Sequence, residues 1–308
     1  MSREILTSGN GTSAGPALLD EHLVQALQGY GYWPTSNEHY AVVLDGLERL
    51  AQAGVTTVLD TTTIECGRDA ELLTEAARDS RLRLLCCTGL SAAAAGVGAA
   101  FRALPAVELA DIFVSELTDH LPGSELRASA IILECTEQIE PFDETATLAA
   151  CFAHAETAAP ILVRAPSSAA VARVDRLVGR GVDPDRILVL GLDDASTTIK
   201  TLEALISRGV LMGITSIGDE DRLSLDARCA MLAFILRSAG PSRVALGTGS
   251  ALCRSAPGQP PAEAGLPETA LGRLRDRAPE FGIDQELLAT ALMGGAHALL
   301  APVAVRSG

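Results

Sequence analysis

Eight short apolar runs recur along the chain, most stopping on a charged, small or turn-forming residue. They begin at Ala17 (ALLDEH), Val55 (VTTVLD), Leu82 (LRLLCCTG), Ala130 (AIILECT), Ile161 (ILVRAP), Ile187 (ILVLGLDD), Val210 (VLMGITS) and Val244 (VALGTG). Stretches of helical periodicity separate them. Between His39 and Ala53, for example, Val42, Val43, Leu47 and Leu50 share one face. Strand and helix alternating in this way predict an α/β fold, a single (β/α)8 TIM barrel. Chemistry in such a barrel sits on the residues that end its strands. The expected ends are Asp20, Asp60, Gly89, Thr136, Ala165, Leu192, Ser216 and Thr248.

The 308 residues fit one barrel domain spanning 1–308. Residues 1–15 are expected to form an N-terminal turn segment around Asn10-Gly11, and residues 284–300 a final helix capped by Asp284. A hydrophobic fraction of 48% supplies a large core, and with 3% aromatics Ala, Leu and Val must fill it. The net charge of −15 argues against nucleic acid and anionic membrane surfaces, which reward Lys and Arg clusters. No apolar run reaches the roughly 20 residues of a membrane span. The start, MSREILTSGNGTSAG, lacks a basic and an apolar signal region, so a cytoplasmic protein is expected. The seven cysteines show no metal-ligand spacing and read as buried thiols, with Cys86 and Cys87 facing opposite sides of a strand. Residues 29–36 hold the single Trp and two of the three Tyr, and form either a pocket wall or a packed rim loop. Residues 91–98 are Ala/Gly-rich, a helix start or a loop, and residues 250–265, with Pro257, Pro260 and Pro261, read as a non-helical loop.

Several segments together resemble the phosphotriesterase family. They are Ala53-Gly54-Val55-Thr56-Thr57-Val58-Leu59-Asp60-Thr61-Thr62-Thr63 followed by Gly67-Arg68-Asp69, Glu116-Leu117-Thr118-Asp119 leading into Ala130-Ile131-Ile132-Leu133-Glu134, and Gly218-Asp219-Glu220-Asp221-Arg222. The resemblance runs from about residue 16 to the C-terminal helix. It implies an amidohydrolase-type hydrolase of ester bonds, with two divalent metals at the barrel mouth flanking a hydroxide. It further implies a His-x-His pair on strand one, a carboxylated Lys or a Glu on strand four, a His on strands five and six, and an Asp on strand eight. Carried onto this chain, the pair falls on Asp20-Glu21-His22 and the strand-four ligand on Glu134. The others fall on Arg164, Leu192 and Gly249. Leu and Gly offer no ligand, and Arg does not surrender its proton to become one.

Three readings of the mouth follow. Asp20, Arg164 and Glu134 form an ion-pair network that fills it, or Arg164 binds an anionic ligand there, or one divalent metal such as zinc sits on Asp20, His22 and Glu134. The expected pocket set is Asp20, His22, Asp60, Glu134, Arg164, Leu192, Asp193 and Gly249, with no residue named as catalytic and no cofactor expected. His39 and His154 are placed on the solvated faces of outer helices, His120 at the barrel bottom or a helix end, and His297 in packing or polar bonding on the last helix. Thr248 and Ser250 lack a His to serve as base. Gly247-x-Gly249 lacks the spacing of a phosphate cradle. The favoured function is a catalytically impaired pseudoenzyme that binds a small anionic ligand or a partner subunit, as a homo-oligomer or beside an intact family member. The alternatives are an active hydrolase of esters, lactones or organophosphates with a reduced metal site, and a metal-free acid–base enzyme using Arg164, Glu134 and Asp20.

Overall fold

The computed structural model describes residues 15–26, 37–91, 99–255, 262–263 and 266–300. The first half runs β1 (Ala17–Ala26), α1 (Asn37–Gln52), β2 (Thr57–Asp60), α2 (Ala70–Asp79), β3 (Arg83–Ser91), α3 (Ala99–Arg102), α4 (Ala106–Thr118), β4 (Ala130–Glu134) and α5 (Pro141–Thr157). The second half runs β5 (Ile161–Arg164), α6 (Ser167–Val178), β6 (Ile187–Leu190), α7 (Ile199–Arg208), β7 (Leu211–Ile214), α8 (Leu225–Ala239) and β8 (Val244–Leu246). Then come β9 (Ala251–Ser255), β10 (Ala262–Glu263), α9 (Pro267–Arg277) and α10 (Gln285–Leu300). β1 to β8 pair in parallel in chain order, giving the expected α/β TIM barrel.

Alternation along the strands divides the apolar residues into two layers. Leu19, Leu59, Ile132, Leu162, Leu188, Leu190 and Leu211 fill the barrel interior. Leu18, Val58, Ile131, Val163, Val189 and Met212 face outward onto the helices. Cys86 joins the outer layer and Cys87 the inner one, and all seven cysteines are buried. Among the described residues, no helix is long and apolar enough to cross a membrane.

The barrel closes through a broken eighth strand. β8 pairs with β7 and ends at Leu246, and the chain then shifts sideways onto β1. The Gly249 amide donates to the Asp20 carbonyl at 3.1 Å, and the His22 amide donates to the Ser250 carbonyl at 3.0 Å. From there β9 lies parallel to the second half of β1, pairing His22 with Ala251. A Cβ on Gly247 would stand 1.9 Å from the Leu19 carbonyl oxygen, so only glycine lets the two backbones meet. Glu21 locks the same seam. Its buried carboxyl receives the Thr248 amide at 2.6 Å and the Thr248 hydroxyl at 2.5 Å. Burial pushes its pKa up to about 8, despite these bonds to Thr248.

Several expectations are corrected. β1 does not stop at Asp20 but continues to Ala26, because the incoming β9 gives its second half a partner. The other strands end within two residues of their expected ends, Asp60 on the residue itself. Residues 250–265 are not simply a loop, since β9 and β10 pair antiparallel there. His39 is buried, not solvated, as is much of its face of α1. His154 is half-buried, with Nδ1 2.7 Å from the Ala159 carbonyl oxygen. His297 is exposed on α10 rather than buried in its packing. The turn at Asn10-Gly11, residues 29–36 and residues 92–98 lie outside the described residues.

Two outcomes follow from the seam. Gly247→Ala should lower stability by about 3 kcal/mol or more, because backbone rather than a flexible side chain meets the new methyl. Gly272→Ala, in open space on α9, should be neutral or mildly stabilising. Urea unfolding of both variants checks this pair. The folded chain keeps the Glu21 proton up to about pH 8, whereas the unfolded chain releases it near 4.5. The native state therefore binds the extra proton between those values, and this group's contribution to stability falls as pH rises through that window. Glu21→Gln, which stays neutral, should flatten the decline and be relatively more stable at pH 8 than at pH 5. Melting curves across that range, wild type against variant, read it directly.

Candidate functional site

The strand ends at the C-terminal face bring Asp20, Glu134 and Arg164 together. Glu134 and Arg164 are direct neighbours in the β4–β5 ladder. Both follow the inward alternation of Ile132 and Leu162, so their side chains meet inside the mouth. Asp20 arrives by a different route. The β1–β2 register shifts between Leu19 and Glu21, and Asp20 sits in that bulge at φ 86°. A positive φ costs most side chains about 1–3 kcal/mol, and Asp is among the residues that tolerate it best. The bulge turns the Asp20 carboxylate inward after Leu19 has already pointed inward.

Arg164 joins both carboxylates. One Nη donates to Glu134, and the other donates to Asp20 and, at 3.3 Å, to the Thr61 hydroxyl. Thr61 in turn donates to Asp20 at 2.6 Å. Burial works against the Arg164 charge, yet the paired Asp20 and Glu134 hold its pKa above the ordinary value. The Arg164 side chain keeps 27% exposure, against 4% for Asp20 and 12% for Glu134, so the guanidinium forms the floor of the mouth.

Other members of the expected pocket set are committed elsewhere. His22 is buried, with Nδ1 3.0 Å from the Thr62 hydroxyl. Asp60 receives the Leu23 amide at 2.6 Å and the Thr62 amide at 2.7 Å, so both its oxygens brace the β1–β2 backbone. Burial raises its pKa, opposed by the neighbouring His22. Asp193 receives the Thr215 and Ser216 amides at 3.2 and 2.8 Å and pairs with the fully buried Arg228 at 2.8 Å. Leu192 does not line the mouth. It lies in the core layer between barrel and helices, and Gly191 takes the mouth-facing place at the end of β6. Gly249 adopts φ 62°, and a Cβ there would stand 2.7 Å from the Thr215 carbonyl oxygen. No side chain at 249 reaches the mouth from this backbone.

The donor set does not fit the binuclear centre that the resemblance implies. Asp20 and Glu134 are spent on a guanidinium, His22 faces a threonine, and positions 192 and 249 present nothing to the mouth. Among the described residues, no three His, Cys, Asp or Glu side chains gather in a way that could hold a metal.

Sequence reasoning missed three arrangements. Arg68 and Glu116, in two of the quoted segments, form a buried two-pronged pair at 2.8 and 2.6 Å, and Arg68 also reaches the Cys87 carbonyl at 2.9 Å. Arg228 braces the loop between β7 and α8 through the Leu223 and Asp219 carbonyls. That loop carries Arg222, whose Nε donates to Asp194 at 3.1 Å and whose Nη2 points over Gly191. The available signal is the arginines themselves, since their acidic partners lie 28 to 48 residues away along the chain and spacing does not reveal them.

The model of the phosphotriesterase family matches residues 6–249. The phosphotriesterase homology protein of Escherichia coli K12 is 28% identical over 223 residues, 71% of this chain and 75% of that protein. The aryldialkylphosphatase of Saccharolobus solfataricus is 25% identical over 221 residues, 70% of each chain. A triple mutant of the organophosphorus hydrolase from Deinococcus radiodurans superposes with a TM-score of 0.81 at 24% identity, covering 94% of this chain and 93% of the other. An engineered organophosphate hydrolase derived from a weak, promiscuous lactonase gives 0.80 at 24% identity, covering 94% and 96%. The chain belongs to the phosphotriesterase family.

Proposed function

We propose that this barrel works without the metal pair of hydrolytic family chemistry, as a catalytically silent member that binds a small anionic ligand at its mouth. The observation that carries this reading is Arg164. Its permanent positive charge joins the two carboxylates, Asp20 and Glu134, that a metal would need. A divalent cation entering between them would face a guanidinium that cannot deprotonate. In a chain of net charge −15, a second and more exposed guanidinium, Arg222, stands beside Arg164 at the same mouth. The relatives named as aryldialkylphosphatase and organophosphorus hydrolase support the competing reading, an active hydrolase of esters, lactones or organophosphates.

One set of measurements separates the two. Protein produced with excess zinc or manganese, then desalted, should hold well below two metal equivalents and should not turn over ester, lactone or organophosphate panels. Two tightly held metals with turnover would establish the hydrolase instead. Restoring acidic or histidine residues at 20, 164, 192 and 249 should not rebuild a centre, since Leu192 faces the helices and Gly249 has no room.

The ion triad should also behave as one unit. Arg164→Ala strands two carboxylates and should cost about 2–4 kcal/mol, below the usual figure for a fully buried pair because Arg164 is partly exposed. The triple change Asp20→Asn, Glu134→Leu, Arg164→Met removes the charges together and should recover most of that loss. Chemical denaturation of the single and triple variants tests the coupling. Simple additivity of the separate changes would contradict it.

A further inference from the structure

We infer that the group meeting the ligand is Arg222, and that the ligand carries a monoanionic carboxylate. This rests on the reading of the mouth as an anion site and names its chemistry. Arg164 is a poor first contact, because both its Nη groups are already held by Glu134, Asp20 and Thr61. Arg222 differs. Its Nε is held by Asp194 at 3.1 Å, and among the described residues no partner holds Nη1 or Nη2. Its side chain is 39% exposed, so a ligand reaches it from solvent.

Gly191 shows where that free edge points. A Cβ built on Gly191 would lie 3.6 Å from Arg222 Nη2 and 3.9 Å from Arg164 Cγ, with no other described atom beyond its chain neighbours within 4 Å. At the end of β6 the two arginines thus pack side by side over a glycine, which leaves room for the Arg222 guanidinium beside Arg164. Arg222 is also held in advance. Its amide donates to Asp219 Oδ1 at 3.1 Å, the Asp219 carbonyl receives buried Arg228, and Arg228 pairs with Asp193. On the other side Asp194 is fixed by the Ser196 amide and hydroxyl at 2.8 and 2.6 Å. A guanidinium fixed in this way loses little freedom when it binds.

The surrounding charges select the anion. Arg164 and Arg222 stand among Asp20, Glu134 and Asp194, with Asp219 against the Arg222 backbone, so carboxylates outnumber guanidiniums here. A dianion such as phosphate meets stronger repulsion from these carboxylates than a planar monoanion, which presents two oxygens to the Nη1–Nη2 edge. A neutral amide of the same shape offers only one acceptor and no charge.

Calorimetry at low ionic strength with benzoate, benzamide and inorganic phosphate tests the assignment on the full chain, with metal content measured on the same samples. Benzoate should bind, Arg222→Gln should weaken it about tenfold or more, and Arg222→Lys should weaken it less while failing to restore it. Benzamide and phosphate should bind far more weakly than benzoate. Benzoate binding that is absent, unchanged in Arg222→Gln, or matched by benzamide or phosphate overturns the assignment. Two metals per chain would instead defeat the metal-free reading of the mouth, whichever way the benzoate titrations fall.

Discussion

A parallel barrel closes only where its first and last strands bring their backbones together, and in this chain that contact leaves no room for a side chain. Gly247 lies against the Leu19 carbonyl, and the Gly249 amide reaches the Asp20 carbonyl. To pass between them, the eighth strand breaks and resumes as β9 along the second half of β1. Two features of the mouth follow from this one constraint. Gly249 takes a backbone shape that points no side chain inward, and the bulge that accommodates the crossing gives Asp20 its positive φ and swings its carboxylate into the barrel. Glu21, one residue on, ties the same crossing to Thr248.

With the Asp20 and Glu134 carboxylates largely buried, a cation must accompany them. Arg164 supplies it from the neighbouring strand. A planar guanidinium suits the task better than an ammonium, because its two Nη groups address two carboxylates at once. The outer ring of the mouth repeats the pattern with Arg222 and Asp194, but there, among the described residues, the two Nη groups have no partner. The inner pair therefore settles the electrostatics of the barrel, and the outer one retains donors for a solute.

Much of the fold was legible in the sequence. Parallel strands covered on both faces read as short apolar runs, and every one of the runs beginning at Ala17 through Val244 became a strand. The meeting of Asp20, Glu134 and Arg164 was legible too, since each was expected at a strand end. What the sequence concealed depended on backbone direction. A bulge at Asp20 and the broken strand beyond Leu246 leave no periodic mark, so the apolar pattern alone ends β1 at Asp20 and shows β9 as loop. Leu192 and Gly249 were assigned to the pocket by position along the chain, whereas one faces the helices and the other is closed off by the Thr215 carbonyl. Asp60 and Asp193 looked available because a carboxylate near a strand end resembles a ligand. Their oxygens are bonded to amides from neighbouring strands and loops, contacts that only the folded chain creates. The role of Arg222 is hidden in the sequence for the same reason, since its place over Gly191 beside Arg164 arises only in the folded chain.

The central claim is that a guanidinium occupies the ground between Asp20 and Glu134. Crystals grown with millimolar zinc and measured at the zinc absorption edge test it most directly. The account predicts no anomalous peak in the mouth and Arg164 in contact with both carboxylates. One or two strong peaks within coordination distance of Asp20 and Glu134, with Arg164 swung away, would contradict it.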